Sequence, residues 1–266
     1  MDKDNGTAPL PAVSLYSKAV MPLVGFGTWK LQNKGAYDAV RYALDIGYRH
    51  LDTATIYHNE DQVGRALLDS GVPREEVFIT TKIPPREVGR EHQTLAASLD
   101  ALGVEQIDLW LIHWPSGSDA DLGMWQALLA AVEYGLTRDV GVSNYSPTQI
   151  DELVTQMGRA PAVNQIRWSP ALFDPARLAH SRDRGVVLEG YSPFRASDLS
   201  DPVLARVAAA HGVTPAQVIL RWHLDHAVVV IPKSATPARI AANFDIFDFT
   251  LTDQEVAQID ALSAAP

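Results

Sequence analysis

The sequence predicts a single (β/α)8 barrel, an α/β fold in which eight parallel strands alternate with helices. Short apolar runs alternate with helical patterns, and the connections between successive runs are too long for β-hairpins. Polar residues follow several of the runs at the same end, as on the working face of such a barrel. We also predict an N-terminal β-hairpin and extra C-terminal helices. The chain is accordingly divided into a flexible tail at residues 1–9 and one barrel domain at residues 10–266.

Each predicted strand is a short apolar run, and each predicted helix has apolar residues at helical spacing with a start or stop signal. In the first helix, Ala36, Val40 and Leu44 share a face, and Gly47 ends it. The strands are predicted at 13–15, 21–23, 23–27, 47–52, 77–81, 107–112, 139–142, 162–165, 186–189 and 228–231. The helices are predicted at 34–46, 59–70, 87–102, 122–134, 147–157, from 174, at 202–211 and 215–224, from 236 and from 252.

Composition is typical of a globular protein from a reducing compartment. The 266 residues are 47 % hydrophobic, enough for a sizeable core, and they include no cysteine for disulfides or thiolate metal sites. Residues 1–20 lack the pattern of a signal peptide, and no apolar stretch reaches the ~18 residues of a membrane span. The net charge of −10 disfavours nucleic acids and anionic membranes as partners. We therefore expect a cytoplasmic protein that acts on a small molecule.

Four polar side chains, Asp52, Tyr57, Lys82 and His113, lie at the ends of predicted strands or just beyond them. They comprise a carboxylate, a phenol, an ammonium and an imidazole, with no activated serine and no obvious metal cluster. This set suits proton transfer to a carbonyl oxygen, with Tyr57 as general acid. A neighbouring Lys82 is expected to lower the pKa of Tyr57 below its usual ~10, and Asp52 to hold Lys82 in place. His113 is expected to orient the carbonyl oxygen through a hydrogen bond.

Several longer motifs occur in order along the chain. They are GFGTW at 25–29, GYRHLDTATIYHNE at 47–60, TTK at 80–82, LIHWP at 111–115, GVSN at 141–144, VNQ at 163–165 and IPKSATPARIAANFDIFDF at 231–249. Together they resemble the aldo-keto reductase family over residues 21–248, and in particular its bacterial members similar to 2,5-diketo-D-gluconate reductase. The resemblance implies that the four polar residues above form the catalytic tetrad of a carbonyl reductase. It also implies a monomer.

Hydride transfer requires a nicotinamide cofactor, because no side chain donates hydride. The chain lacks a G-x-G-x-x-G motif after a strand, so a Rossmann domain is not expected. The resemblance implies instead that NADPH or NADP+ lies across the barrel mouth. Its implied contacts are Ser143, Asn144 and Gln165 for the carboxamide, Tyr191 for the ring, Ser192 and Phe194 for the diphosphate, Lys233, Ser234 and Arg239 for the 2′-phosphate, and Asn243 for adenine.

The resemblance also implies a substrate pocket whose wall is formed by Trp29, Ile56, His113 and Trp114. An apolar pocket of this kind favours small aldehydes, ketones and dicarbonyls over charged sugars, although a keto-sugar acid remains an alternative. The chain departs from the family pattern at Pro84, Ala242 and Arg167-Trp168, and its loop after Trp114 is short. We therefore expect an open site with broad specificity for small carbonyl compounds.

The sequence leaves two alternative functions besides carbonyl reduction. One is a barrel that binds NADPH but serves as a redox-sensing or scaffold protein with little turnover; the complete tetrad argues against it. The other is a barrel metallohydrolase, which needs several histidine or carboxylate ligands at the strand ends. His50 is placed on the opposite face of its strand from Asp52, so such a cluster is not expected.

Overall fold

An antiparallel hairpin precedes the barrel, as predicted. A computed structural model describes residues 10–117 and 120–264; the predicted tail at 1–9 and the last two residues lie outside this range. Strand β1, Ala12–Ser14, pairs with β2, Val20–Pro22. Tyr16, between the two strands, donates a hydrogen bond to the carbonyl oxygen of Arg184. This contact fastens the hairpin to a segment far along the chain.

Eight parallel strands follow, and each pairs with the next along the chain. They are β3 Phe26–Gly27, β4 His50–Asp52, β5 Phe78–Ile83, β6 Ile107–Ile112, β7 Thr137–Ser143, β8 Val163–Arg167, β9 Val187–Tyr191 and β10 Val229–Ile231. The ring closes beside β3, where Val24 forms a parallel bridge with Val230. The amide of Gly25 donates to the carbonyl of Val230, whose own amide donates to Leu23. The predicted (β/α)8 barrel is thus confirmed.

Helices surround the ring, and two of them lie between β9 and β10. They are α1 Asn33–Asp45, α2 Glu60–Ser70, α3 Glu91–Leu102, α4 Ala120–Glu133, α5 Pro147–Met157, α6 Pro175–Asp183, α7 Pro202–His211, α8 Pro215–Asp225, α9 Pro237–Phe244 and α10 Asp253–Asp260. A capping box formed by Thr252 and Glu255 starts α10. Helix α3 begins later than predicted, because residues 85–87 form a separate 3-10 turn and Gly89 has φ +79°.

The core has two parts, and the extra C-terminal helices contribute to the second of them. Most strands pack with α1 to α5 in one large apolar cluster. A second cluster joins α7, α8 and α10 around Trp222, Leu204 and Ile259. Burial of large apolar side chains on both faces of the ring accounts for most of its stabilisation.

Among the described residues, no single helix is both long enough and apolar enough to cross a membrane. The adjacent helices α7 and α8 reach that length and apolarity only as a pair, and the chain bends by 87° between them.

The contact between α2 and α3 provides a test of the packing. A Cβ atom added at Gly64 in α2 would lie 2.3 Å from the carbonyl oxygen of Leu102, whereas one at Gly123 in α4 would meet nothing within 4 Å. Alanine favours a helix interior over glycine by about 1 kcal/mol. We predict that Gly123→Ala keeps or raises the free energy of unfolding, while Gly64→Ala lowers it by about 1–3 kcal/mol through overpacking. Urea denaturation of both variants measures the difference, and equal effects would contradict this packing.

Candidate active site

The four predicted tetrad residues meet at the carboxyl ends of neighbouring strands. Asp52 ends β4, and Lys82 is the penultimate residue of the adjacent strand β5. His113 directly follows β6, and Tyr57 closes a 3-10 turn, Thr55–Tyr57, just after β4. Parallel strands bring their carboxyl ends to one rim of a barrel, so residues far apart in sequence become neighbours.

Lys82 and Asp52 form a buried ion pair. The Lys82 Nζ atom donates to both carboxylate oxygens of Asp52 at 2.7 Å and to the carbonyl oxygen of Thr53 at 2.8 Å. The Lys82 side chain is fully buried. Burial alone lowers the pKa of Lys82, but the Asp52 carboxylate and the Tyr57 phenol raise that pKa by more. The ammonium therefore stays charged inside the barrel.

Tyr57 lies above this pair, with its ring centre 5.2 Å from Lys82 Nζ. Burial raises the pKa of Tyr57 above its usual value, and the Lys82 ammonium opposes this rise without overcoming it. The expected net lowering of the Tyr57 pKa is thus wrong, although Lys82 acts in the predicted direction. A buried phenolate loses its hydration, and an ammonium already shared with Asp52 replaces only part of it.

His113 presents a neutral imidazole beside the phenol. Its ring lies 5.7 Å from the ring of Tyr57 at 72° and stacks on Trp114 at 3.8 Å. Burial lowers the pKa of His113 to about 2, and the Lys82 ammonium acts in the same direction. A neutral imidazole has one N–H, so His113 is suited to donate a single hydrogen bond to a substrate oxygen.

A cavity of about 490 Å³ opens over the tetrad. Its lining includes most of the predicted site residues: Trp29, Asp52, Tyr57, His113, Trp114, Ser143, Asn144, Gln165, Tyr191, Ser192, Phe194 and Lys233. Lys82 lies beneath this lining. Ile56 is half-buried in the 3-10 turn next to Tyr57 and does not line the cavity, nor does Pro84, which is buried. Substrate contact by Ile56 therefore remains a prediction.

The wall opposite Tyr57 is a network of amide and hydroxyl groups. Ser143 Oγ donates to the carbonyl oxygen of Gln165 at 2.8 Å, and Asn144 Nδ2 donates to Ser143 Oγ at 3.0 Å. The hydroxyl of Tyr191 donates to Asn144 Oδ1 at 2.8 Å. Asn144 has φ +65°, a left-handed conformation that asparagine tolerates better than most residues. These bonds join four predicted cofactor contacts, Ser143, Asn144, Gln165 and Tyr191, in one connected group.

Gln165 connects this wall to the ion pair. Its Nε2 donates to Asp52 Oδ2 at 2.7 Å and to Glu189 Oε2 at 3.0 Å. Because both acceptors bind the amide nitrogen, the side-chain carbonyl of Gln165 is left as the group available to a ligand. A primary carboxamide, which donates two N–H groups, is complementary to such an acceptor.

Glu189 was missed by the sequence analysis. It is fully buried in β9, and burial raises its pKa to about 8, with the Asp52 carboxylate adding to the rise. The carboxyl group is therefore largely protonated at neutral pH. A charged residue inside an otherwise apolar strand, Val186-Val187-Leu188-Glu189, was the signal that could have identified it.

The expectation that His50 and Asp52 lie on opposite strand faces is wrong. Residues two apart on a strand share a face, and both side chains point into the barrel. His50 Nε2 lies 3.7 Å from Glu189 Oε1 and 3.3 Å from Thr80 Oγ1. Burial lowers the pKa of His50 to about 3, so this ring is neutral.

The remaining predicted cofactor residues lie just before α9 or within it: Lys233 and Ser234 precede the helix, Arg239 is in its first turn, and Asn243 is near its end. Lys233 and Arg239 are exposed, and neither has a carboxylate within ion-pairing distance in the described part of the chain. Ser234 and Asn243 are buried, and Ser234 Oγ accepts a hydrogen bond from the amide of Thr236. Two unpaired cations beside a helix N-terminus, in a protein of net charge −10, fit a dianionic phosphate.

Comparison with known proteins decides the family. The model of the aldo/keto reductase family matches residues 23–264. The chain belongs to this family. It is 40 % identical over 269 residues to morphine 6-dehydrogenase of Pseudomonas putida, covering 95 % of this chain and 91 % of that protein. It is 39 % identical to methylglyoxal reductase DkgA of Yersinia pestis, covering 95 % and 92 % of the two chains.

A solved structure extends the comparison to three dimensions. The crystal structure of a Bombyx mori aldo-keto reductase in complex with NADP superposes with a TM-score of 0.89 at 33 % identity. The match covers 96 % of this chain and 94 % of the other. An aldo/keto reductase is an oxidoreductase, and the cavity above has the barrel-mouth position expected of such a site.

The two departures Arg167 and Trp168 have different positions in this aldo/keto reductase. Arg167 ends β8 and lines the cavity. Trp168 is buried in the second core cluster, where its ring lies 5.9 Å from that of Phe173. Arg195 and Lys30, which the sequence analysis did not single out, also line the cavity. Among the described residues, no group of three or more histidine, aspartate or glutamate side chains is arranged to hold a metal ion.

The buried ion pair makes a testable contribution to stability. We predict that Lys82→Met lowers the free energy of unfolding by about 3–5 kcal/mol, because it leaves Asp52 buried without its partner. The double variant Lys82→Met with Asp52→Asn should lose less than the sum of the two single variants. Chemical denaturation measures this cycle.

The exposed pair Lys34 and Asp38 is a matched control, since both side chains are more than half exposed. Lys34→Met should change the free energy of unfolding by less than about 1 kcal/mol. Additive losses at Lys82 and Asp52 would show that the two groups do not depend on each other.

Proposed function

We propose that this aldo/keto reductase reduces small aldehydes and ketones to alcohols with NADPH, using Tyr57 as the proton donor. Oxidoreductase activity and use of NADP(H) belong to the family. The observation that supports the catalytic roles is the arrangement of a fully buried Lys82 and Asp52 beneath Tyr57, with His113 at its side. These groups share one cavity with the amide wall.

The four tetrad side chains have different roles in protonating the carbonyl oxygen. The reduced nicotinamide, when bound, supplies a hydride to the carbonyl carbon. Tyr57 donates its phenolic proton to the oxygen, and Lys82 stabilises the phenolate that remains. Asp52 keeps the ammonium charged and in place. His113 donates a hydrogen bond that holds the oxygen near the phenol.

The raised pKa of Tyr57 keeps this residue in the form that reduction needs. Burial disfavours the phenolate, so Tyr57 carries its proton at neutral pH. In the reverse reaction the same residue takes the proton back, so this pKa does not set the direction of the reaction.

The cofactor is assigned to the residues of the amide wall and the start of α9. Gln165, Asn144 and Ser143 meet the carboxamide, and the Tyr191 ring packs on the nicotinamide. The remaining residues contact the other parts of the dinucleotide: Ser192 and Phe194 the diphosphate, Lys233, Ser234 and Arg239 the 2′-phosphate, and Asn243 the adenine. The unpaired cations at Lys233 and Arg239 support a preference for the phosphorylated cofactor.

We propose a broad substrate specificity because the walls of the cavity are open. The side chains of Trp29 and Trp114, two of the proposed substrate contacts, are each 42 % exposed. Relatives of nearly equal identity carry the names morphine 6-dehydrogenase and methylglyoxal reductase, so identity alone selects no substrate. Small aldehydes, ketones, dicarbonyls and keto-sugar acids are the proposed class of substrates.

A scaffold role without turnover is the second candidate function. Consumption of NADPH with a simple aldehyde would reject it.

The first test replaces the proton donor. We predict that Tyr57→Phe still binds NADPH but loses reduction by about three orders of magnitude or more, because no other group reaches the oxygen as an acid. Single-turnover absorbance of NADPH and fluorescence titration measure the two effects. In the wild type, kcat/KM should stay constant up to pH 10 and fall only above it, since the raised pKa keeps Tyr57 protonated. Near-normal rates in the variant would remove Tyr57 as the acid.

The second test concerns the 2′-phosphate. We predict that Lys233→Ala raises KM for NADPH by about tenfold or more and leaves KM for NADH nearly unchanged, because only NADPH carries that phosphate. Arg206→Ala is the matched control; this arginine lies on α7 and does not line the cavity. Equal changes for both cofactors would place the phosphate elsewhere.

A further inference from the structure

One buried carboxyl group, that of Glu189, has no part in the proposed proton transfer. Glu189 lies in β9, and its side chain has no exposed surface. It does not line the cavity over the tetrad, so it is not placed to touch a ligand there. Burial of a carboxyl group is costly unless hydrogen bonds compensate for the lost hydration. The groups that Glu189 contacts therefore indicate what it does.

The hydrogen-bond partner of Glu189 is the side-chain amide of Gln165. The two residues lie opposite each other in the register of β8 and β9. Gln165 Nε2 donates to Glu189 Oε2 at 3.0 Å and, across the interior of the barrel, to Asp52 Oδ2 at 2.7 Å. Gln165 lines the cavity, so its amide connects Glu189 to the place proposed for the cofactor.

Two acceptors fix the orientation of the Gln165 amide, whereas one would not. The terminal torsion of a glutamine side chain is broad and roughly two-fold, so the side chain alone does not select which polar atom faces the cavity. A single bond to Asp52 leaves the amide free to rotate about that bond. The second bond, to Glu189, fixes the plane of the amide and leaves Oε1, an acceptor, as the group available to a ligand.

The other carboxyl oxygen, Glu189 Oε1, faces a histidine. It lies 3.7 Å from His50 Nε2, and it accepts no hydrogen bond from a described residue. Burial raises the pKa of Glu189 to about 8 and lowers the pKa of His50 to about 3, so both groups are largely uncharged near neutrality. A neutral carboxyl group has one carbonyl oxygen and one O–H, and the bond from Gln165 assigns the carbonyl oxygen to Oε2. A glutamine at this position would offer Gln165 the same acceptor.

We propose that Glu189 is a positioning residue, which acts through Gln165 to make the site select cofactors that carry a carboxamide on the pyridine ring. This inference rests on the proposed contact between Gln165 and that carboxamide. Gln165 Oε1 accepts a hydrogen bond from the carboxamide NH2 group, and Glu189 keeps this oxygen in place. Without Glu189, one N–H of Gln165 loses its acceptor and turns toward the cavity, where it meets the carboxamide NH2, a donor like itself.

A cofactor analogue tests this series of contacts. Acetylpyridine adenine dinucleotide phosphate carries a methyl group in place of the carboxamide NH2 and keeps the carbonyl oxygen and all the phosphates. We expect the wild type to bind NADP+ about fivefold or more tightly than the analogue, the size of one buried hydrogen bond. Quenching of tryptophan fluorescence measures both dissociation constants without any turnover.

Variants of Glu189 should change this affinity ratio in a defined way. Glu189→Met keeps an unbranched side chain of similar length but has no acceptor for Gln165, so the ratio should fall toward one, mainly through weaker binding of NADP+. Glu189→Leu carries the same expectation and serves if the methionine variant does not fold. Glu189→Gln should retain the ratio because it restores the acceptor.

Glu60 provides a matched control on the outer side of the barrel. Its carboxyl group is also buried and accepts a hydrogen bond from Thr81, but it does not line the cavity over the tetrad. Glu60→Met should lower the free energy of unfolding and leave the affinity ratio unchanged. Equal weakening of NADP+ and the analogue in Glu189→Met would assign Glu189 a purely structural role and overturn the proposal. Loss of the ratio in Glu189→Gln would also overturn it.

Gln165→Leu separates a failure of this inference from a failure of the proposed function. A ratio that falls in both Gln165→Leu and Glu189→Met supports the proposal. A ratio that falls in Gln165→Leu but survives in Glu189→Met keeps the proposed cofactor contact and overturns the role of Glu189. A ratio near one in the wild type, or one that survives in Gln165→Leu, contradicts the proposed contact itself and overturns the inference with it.

Discussion

The ion pair of Lys82 and Asp52 is the interaction on which the rest of the site depends. It joins two adjacent strands at the rim of the barrel and pairs two opposite charges whose side chains are buried. Asp52 also accepts a hydrogen bond from Gln165, and Lys82 lies beneath Tyr57. One ion pair therefore sets the environment of Tyr57, the proposed proton donor, and also holds the side-chain amide of Gln165, a proposed cofactor contact.

Burial, more than any single neighbour, sets the charges around this pair. It keeps Tyr57 protonated, holds His113 and His50 neutral and raises the pKa of Glu189 to about 8. The barrel floor consequently carries one compensated ion pair among neutral polar groups. In the proposed reaction, a carbonyl compound entering above this floor meets the Tyr57 phenol and the neutral His113 imidazole, while the Asp52 carboxylate is already bound to Lys82 and Gln165.

Much of the site could be predicted from the sequence because parallel strands bring their ends to one rim. Asp52, Lys82 and His113 follow apolar runs, and that position, together with the family motifs, identified them as one group. The extent of burial could not be read from the sequence, so the direction of the Tyr57 pKa was wrong. Glu189 was not identified as a site residue because the residues before it in its strand are all apolar. Arg167 appeared only as an unexplained departure, since a sequence does not show which residues line a cavity.

The closure of the ring has a consequence for biosynthesis. The segment at Leu23 to Gly25 pairs with Val230 in β10, so the earliest and latest strands of the barrel depend on each other. A nascent chain on the ribosome cannot seal its ring until nearly the whole polypeptide has emerged. Until then the growing sheet presents unpaired edges, which are prone to association with other chains. Lys233 follows the last strand by two residues, so the cation proposed for the 2′-phosphate is placed only as the ring is completed.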